Sequence, residues 1–223
     1  RELPDEELAF QLEACREITE RFGFACYGGE RYEADDYLAS IATLAREQGL
    51  PITVVTRDKD LGQLITDPQD RWWDFAAGVQ LDTVAFADKH GVQPGQFADY
   101  LALVGDPVDD IPGVPGIGAK TAASLLQHFE DLDALGVGLE RIPGLGIRRA
   151  ARVQERLESH WGQVLMARQL TGLEEHIADI GTLPTSTIDA EALDRVLDYL
   201  AELNLEGNLS RRCHTLRAEV LAA

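Results

Sequence analysis

Residues 52–56, Ile-Thr-Val-Val-Thr, form a continuous β-branched run. Side chains of this kind are stiff at χ1 and pack best on a pleated surface, and a run without polar alternation predicts a strand buried on both faces. Such a strand needs cover on both sides, and the neighbouring segments supply it. Upstream, "EADDYLASIATLAREQG" predicts a helix with Leu38, Ile41, Ala42 and Ala45 on one face and Gly49 ending it. Before that, "RELPDEELAFQLEACREITERFG" predicts another, with Pro4 near its start, Leu8, Leu12, Cys15 and Ile18 at helical spacing, and Gly23 as a stop; "FACYGG" predicts a short strand. Downstream, "DLGQLIT" predicts a short helix, and "RWWDF" with "VQLD" a strand pair or hairpin. Strand and helix in alternation give an α/β fold with a parallel sheet.

From "QPGQFADYLALVG" onward the pattern is helical with glycine punctuation. "GIGAKTAASLLQHF" is a helix behind a glycine-rich turn, and "GLGIRRAARVQERLESH" reads as its degenerate echo or as a chance likeness of two helix starts. "IDAEALDRVLDYLAELN" is amphipathic, with Leu193, Val196, Leu197 and Leu200 on its apolar face. The 223 residues suffice for one large domain or two small ones. No apolar run approaches the roughly 18 residues of a membrane span, no signal pattern opens the sequence, and no membrane partner is expected. Cys15, Cys26 and Cys213 are an odd number at unrelated spacings, which favours neither a disulfide framework nor a zinc site and fits a reducing, cytoplasmic setting.

A net charge of −19 argues at face value against a nucleic-acid partner. The distribution changes that. Residues 1–110 carry −14 and residues 171–223 carry −6, whereas residues 111–170 carry +1 and hold Arg141, Arg148, Arg149, Arg152 and Arg156 close together.

The acids cluster at element ends. Glu33, Asp35 and Asp36 open a helix, where acids also complement the macrodipole. Asp58 and Asp60 follow the carboxyl end of the β-branched strand, where ligand sites of open α/β sheets lie, and where one Asp would also serve as a helix cap. Asp106, Asp109 and Asp110 form a third cluster. Brought to one edge, so many carboxylates cannot all ionise without cations, and hard oxygen ligands suit Mg²⁺ or Mn²⁺. Two such ions about 3.5–4 Å apart can activate water and stabilise the leaving oxygen of a phosphodiester.

Directly after the third cluster comes Gly113-Val-Pro-Gly116-Ile-Gly118-Ala-Lys120-Thr121. Glycines let backbone N–H groups approach a phosphate, the following helix adds its positive N-terminal end, and Lys120 and Thr121 can donate to the same oxygens. A tight helix–helix turn is the plainer alternative. Contacts of this kind fix position without reading bases. Arg148 and Arg152, behind the second glycine turn, are expected to extend the grip along a duplex, or else to form a solvated helix face paired with Glu155 and Glu158.

"YEADD", "TRDKDLGQLI" and "VGDPVDDIPGVPGIGAKTAASLL", in this order between about Tyr32 and Phe129, resemble the bacterial 5′ nuclease (flap endonuclease) family. That family includes the 5′-nuclease domain of DNA polymerase I and free-standing flap endonucleases. The resemblance implies a parallel-sheet, PIN-like α/β nuclease core at 1–110, a helix–three-turn–helix DNA clamp at 111–170, and a C-terminal helical segment at 171–223 that packs back on the core. It implies a Mg²⁺-dependent (or Mn²⁺-dependent) 5′-3′ exonuclease or flap endonuclease, acting on DNA with 5′ ends or flaps in replication or repair, in the bacterial cytoplasm beside the nucleoid. By motif position Glu33, Asp35, Asp36, Asp58, Asp60, Asp106 and Asp109 match the acids that hold two divalent ions, while Asp110 stands where many members have Asn. Similarity to helix–hairpin–helix turns assigns the backbone carbonyls of Pro112, Val114 and Ile117 to K⁺. The phosphate grip falls to Gly116, Gly118, Lys120 and Thr121, with Arg148 and Arg152.

Family members begin with two aspartate-bearing strands and a basic arch, and nothing here matches them. An N-terminal segment or a second chain is therefore expected to complete the site. Two rivals stand beside the nuclease: a non-catalytic, structure-specific DNA-binding module, and a small-molecule phosphohydrolase built on Asp58 and Asp60. Concentrated acids do nothing for the first, and a clamp does nothing for the second. The five histidines form no ligand pattern, and Trp72 with Trp73 is expected to give one core and one surface residue.

Overall fold

The computed structural model describes residues 5–205 and 207–222. In chain order the helices are α1 (Glu6–Arg21), α2 (Ala34–Glu47), α3 (Thr83–His90), α4 (Phe97–Val104), α5 (Ala119–His128), α6 (Leu132–Val137), α7 (Ala150–Thr171), α8 (Ala190–Glu202) and α9 (Asn208–Ala222). The strands are β1 (Thr53–Val55), β2 (Arg71–Asp74), β3 (Val79–Leu81), β4 (Gly105–Asp106) and β5 (Ile111–Pro112), with 3-10 turns at Asp60–Leu64, Pro94–Gln96 and Leu139–Gly144. Two compact units result: Asp35–Ile180, and the described residues before and after it. Aspartates start several helices by accepting a backbone N–H: Asp5 from Leu8, Asp82 from Ala85, Asp131 from Ala134 and Asp189 from Ala192.

In the unit Asp35–Ile180, β1 runs parallel to β2, and β2 pairs antiparallel with β3, with Val54 opposite Trp72 and Trp72 opposite Leu81. The hairpin expected from "RWWDF" and "VQLD" is present. The β-branched run differs from expectation: only Val54 is buried, while Thr53 and Val55 face outward. β1 is an edge strand of the order β1-β2-β3, covered on one face only by Ala39, Ala42, Leu61 and Leu64. The crossover to β2 is closed by Asp70, a buried carboxylate that accepts the N–H groups of Ile52, Thr66 and Asp67.

α2 is turned relative to its expected face. Tyr37, Ala39, Ser40, Ala42 and Ala45 are buried and Leu38 is exposed. Ser40 is the cause: its hydroxyl donates to the Glu174 carbonyl and accepts from the Ile177 N–H, drawing that segment onto its side of the helix. A larger hydrophobic core runs from Ile65 to Ala167. At its centre α4 buries Phe97, Ala98, Asp99, Leu101, Ala102 and Leu103. Asp99 accepts the Leu132 N–H at the start of α6 (3.0 Å) and pairs with Arg168 of α7, and Thr171 Oγ1 donates to the Ala98 carbonyl (2.9 Å).

In the other unit α8 buries Leu193, Val196 and Leu200 with Leu197 beside them, as its pattern predicts, against Ile18 and Phe22 of the first helical segment and Cys213 of α9. The expected apolar stripe of α1 is only partly used: Leu8 and Leu12 are exposed, Ala14 is buried, and Ile18 packs on α8. Residues 24–29 are irregular rather than a strand, because no neighbouring strand runs beside them among the described residues. Trp72 is buried and Trp73 half-buried. No described helix is long and apolar enough to cross a membrane.

The outward turn of Leu12 separates two substitutions that sequence pattern alone would equate. Leu193→Ala, at a fully buried site, is expected to lower stability by about 2–5 kcal/mol, and Leu12→Ala by less than about 0.5 kcal/mol. Urea unfolding of the two variants followed by circular dichroism checks this.

Candidate functional site

The loop leaving β1 is tied down link by link. Thr56 Oγ1 accepts the Asp58 N–H (2.9 Å), Asp58 Oδ1 accepts the Asp60 N–H (2.9 Å), and the Asp58 carbonyl accepts the Trp72 indole N–H (2.7 Å). The Asp58 carboxylate thus serves its own turn, and Asp60 is presented at the start of the 3-10 turn. On the other side α4 ends at Gly105, whose φ of +83° turns the chain into β4. Asp106 is 3% exposed there, with Oδ1 accepting the Val108 N–H (2.9 Å). The tight turn to β5 carries Asp109 on the surface. One carboxylate oxygen from each of Asp60, Asp106 and Asp109 lies within 4.8 Å of the other two.

Lys59 sits inside this group, its Nζ 2.5 Å from Asp106 Oδ2 and 3.0 Å from Asp60 Oδ1. The two acids respond in opposite directions. Burial pushes the Asp60 carboxyl above its ordinary value, and the Lys59 hydrogen bond only partly offsets it. Burial acts in the same sense on Asp106, but there the Lys59 ammonium and the Val108 N–H outweigh it and hold the carboxyl low. Lys59 in turn is pulled down by burial and raised further by its two carboxylates, for a net rise.

The other acids marked in the sequence do not join this group of three. Asp35 and Asp36 stand in the first turn of α2, with Glu33 just before it, and Asp36 Oδ1 accepts the Glu174 N–H (3.0 Å). Among the described residues only Asp60, Asp106 and Asp109 meet as a group of three potential ligands. Asp110 adopts a left-handed φ of +56°, a conformation that Asn and Asp tolerate best after glycine.

The glycine turn divides its labour. Gly113 presses against the Val104 carbonyl and the Gly105 N–H with no room for a Cβ, and Gly105 meets Gly113 in the same way. These two let backbones touch each other. Gly116, at φ +77°, lies under the Arg156 guanidinium, which fills the space a side chain would take. Gly118 alone faces open space; it is the N-cap of α5 and supplies no side-chain acceptor, leaving the helix N-terminus bare beside Lys120 and Thr121, both on the first turn. Val114 and Ile117 are buried, the Val114 carbonyl accepts the Ile117 N–H (3.0 Å), and the Pro112 and Gly113 carbonyls accept from Gln163 Nε2 (3.0 and 3.2 Å). Nothing in the sequence pattern marks Gln163, Lys59 or Arg156 for these positions.

Arg148 and Arg152 are exposed, but they do not share a helical face. α7 begins at Ala150, and the left-handed Gly146 (φ +71°) and Arg149 (φ +59°) break the chain before it. Arg148 therefore projects from a turn and Arg152 from the first turn of α7.

Two consecutive family models match: the 5′-3′ exonuclease N-terminal resolvase-like domain over residues 1–92, and the 5′-3′ exonuclease C-terminal SAM fold over residues 92–195. The chain belongs to the 5′-3′ exonuclease family. Its relatives include DNA polymerase I of Rhizobium leguminosarum, 42% identical over 60% of this chain and 13% of the relative. DNA polymerase I of Mycobacterium leprae is 31% identical over 85% of this chain and 21% of the relative. The chain thus spans about a fifth or less of the length of these relatives. Among solved structures, bacteriophage T5 5′-exonuclease with bound zinc superposes with a TM-score of 0.57 at 20% identity, covering 98% of this chain and 73% of that one. A T5 flap endonuclease complex with DNA and metal ions gives 0.58 at 18% identity, covering 100% and 74%. The 5′-3′ exonuclease fold is thus a mixed α/β N-terminal part followed by a helical part.

The backbone contact between Gly105 and Gly113 yields a prediction. Gly113→Ala is expected to destabilise by more than about 2 kcal/mol because the added Cβ meets main chain, whereas Gly118→Ala stays within about 0.5–1 kcal/mol. Urea midpoints of the two variants, with unchanged m-values, are the measurement.

Proposed function

We propose that this chain is part of the catalytic module of a structure-specific 5′ nuclease that hydrolyses DNA phosphodiester bonds at 5′ ends or flaps, in replication or repair in the bacterial cytoplasm. The observation that carries this is the meeting of Asp60, Asp106 and Asp109 within 4.8 Å, drawn from two separate loops that each lead out of the core. The donor set fits a small hard cation: three carboxylates, one of them buried beneath the others, with no sulfur or imidazole ligand among them. Mg²⁺ or Mn²⁺ is the ion of choice, and Asp60, Asp106 and Asp109 would hold it; motif position adds Glu33, Asp35, Asp36 and Asp58 to the acids assigned to two divalent ions. Divalent ions supply charge for the phosphodiester oxygens and lower the pKa of water. The protein's part is to hold the carboxylates, through the Thr56–Asp58–Asp60 chain of bonds and the Val108 N–H, and to place the phosphate.

Placement belongs to residues 111–170, which act as the DNA clamp behind the nuclease residues 1–110. The bare N-terminus of α5 at Gly118, with Lys120 and Thr121, grips a backbone phosphate, Gly116 keeps the turn thin, and Arg148 and Arg152 extend the contact along the duplex. K⁺ is assigned to the carbonyls of Pro112, Val114 and Ile117, where Gln163 donates to the first of them. The likeness to nucleases solved with zinc, and with DNA and metal ions, supports this reading. A non-catalytic DNA-binding module is the alternative, and it gives the carboxylates no task.

Asp106→Ala and Asp109→Ala in the full-length enzyme are each expected to reduce cleavage of a 5′-flap substrate by at least about 10²-fold in Mg²⁺ while leaving flap binding intact, since an anionic ligand is lost and repulsion of phosphate falls. Wild-type turnover in the double variant refutes the assignment. Lys120→Ala is expected to flatten the plot of log affinity against log salt by about 0.9 on duplex-containing DNA. Replacing Arg148 and Arg152 together by Ala should weaken binding to the same extent for every duplex sequence tested, as read by fluorescence anisotropy.

A further inference from the structure

The carboxylate group already contains a cation. Asp106 uses Oδ1 to accept the Val108 N–H, so Oδ2 is the oxygen left for any other partner, and Lys59 Nζ sits on it at 2.5 Å. The same ammonium reaches Asp60 Oδ1 at 3.0 Å. Asp106 is 3% exposed, so water cannot neutralise it in place of a counter-charge, and an unpaired carboxylate there would repel Asp60. An ion held by Asp106 needs Oδ2, the oxygen that Lys59 occupies, and two cations cannot share that position.

The Lys59 side chain is nonetheless built to leave. It is 43% exposed, far more than its partner, and its four-carbon stem can swing the ammonium into water without moving the backbone. A divalent ion brings twice the charge to the same oxygens, so exchange favours the metal once it is present.

We propose that Lys59 is a positioning residue that acts as the cluster's own counter-ion: its ammonium holds Asp60 and Asp106 together in the metal-free protein and is displaced from Asp106 when a divalent ion binds. This rests on the metal reading of the cluster given above. Lys59 then stabilises the metal-free state selectively and weakens metal binding by competing for it. A lysine of purely structural value would stabilise both states alike.

The test uses Mn²⁺ as the probe on the full chain, with calorimetric titration and the paramagnetic resonance signal of free Mn²⁺ as readouts, and thermal unfolding in EDTA and in saturating Mn²⁺. Lys59→Met, which keeps the length and removes the charge, is expected to lower Tm by about 3–6 °C in EDTA, to match wild type within about 1 °C in Mn²⁺, and to bind Mn²⁺ roughly three- to tenfold more tightly. Lys59→Arg should stay close to wild type in all three. A Tm deficit of Lys59→Met that persists in Mn²⁺, or an Mn²⁺ affinity that is unchanged or weaker, overturns the proposal. Asp106→Asn separates the two levels: if it binds Mn²⁺ as wild type does, the metal reading itself falls and this inference with it. If it loses Mn²⁺ while Lys59→Met changes nothing, only the role of Lys59 falls.

Discussion

The unit Asp35–Ile180 depends on a helix that has almost no face for water. α4 is eight residues long and buries Phe97, Ala98, Asp99, Leu101, Ala102 and Leu103. Burying a carboxylate in such a helix requires partners, and Asp99 finds them in the first N–H of α6 and in Arg168 of α7, so a polar residue in the core sets where two further helices stand. Because α4 cannot shift without disturbing all of its neighbours, the residue that follows it cannot shift either. Gly105 turns the chain out of the core at a fixed point, and Asp106 is delivered there, buried and already bonded to the Val108 N–H. The position of the least accessible carboxylate of the site is thus a property of core packing.

Much of this was legible in the residues. The hairpin of β2 and β3, the helix α5 behind its glycine turn and the apolar face of α8 follow from local pattern, because in each case the segment's own periodicity agrees with what it packs against. Of the seven acids that the motifs single out, the fold brings Asp60, Asp106 and Asp109 together as a group of three. What escaped was set by distant contacts. Ser40 rotates α2 by bonding residues more than a hundred positions away, and no periodicity records that. β1 reads as doubly buried from composition but lies at a sheet edge, with Val55 outward. Arg148 falls off its expected helix because two left-handed residues, one of them the arginine Arg149, delay the start of α7. Lys59 sits between two aspartates in sequence, and only the fold brings Asp106 to it.

The charge balance takes on a different meaning beside this geometry. If a chain of net −19 acts on DNA as proposed, it does so through local fields, since its overall potential repels the ligand. The exposed cations of residues 111–170 and the bare start of α5 provide such a field over a few ångströms, within the screening length of physiological salt. On the proposed function, the acids elsewhere oppose loose adhesion of DNA to the remaining surface.

On the proposed function, the contact between Gly105 and Gly113 bears on where a strand is cut. One glycine follows α4 and leads to Asp106; the other leads to the turn before Gly118. With no side chain between them, main chain rests on main chain, which fixes the point where the chain leaving Asp106 meets the chain leading to Gly118. On the proposed function the span from Asp106 to Gly118 is a ruler. Inserting or removing residues in the main chain between Asp106 and Gly118 would then shift the distance from grip to cut, whereas exchanging surface residues would leave it in place.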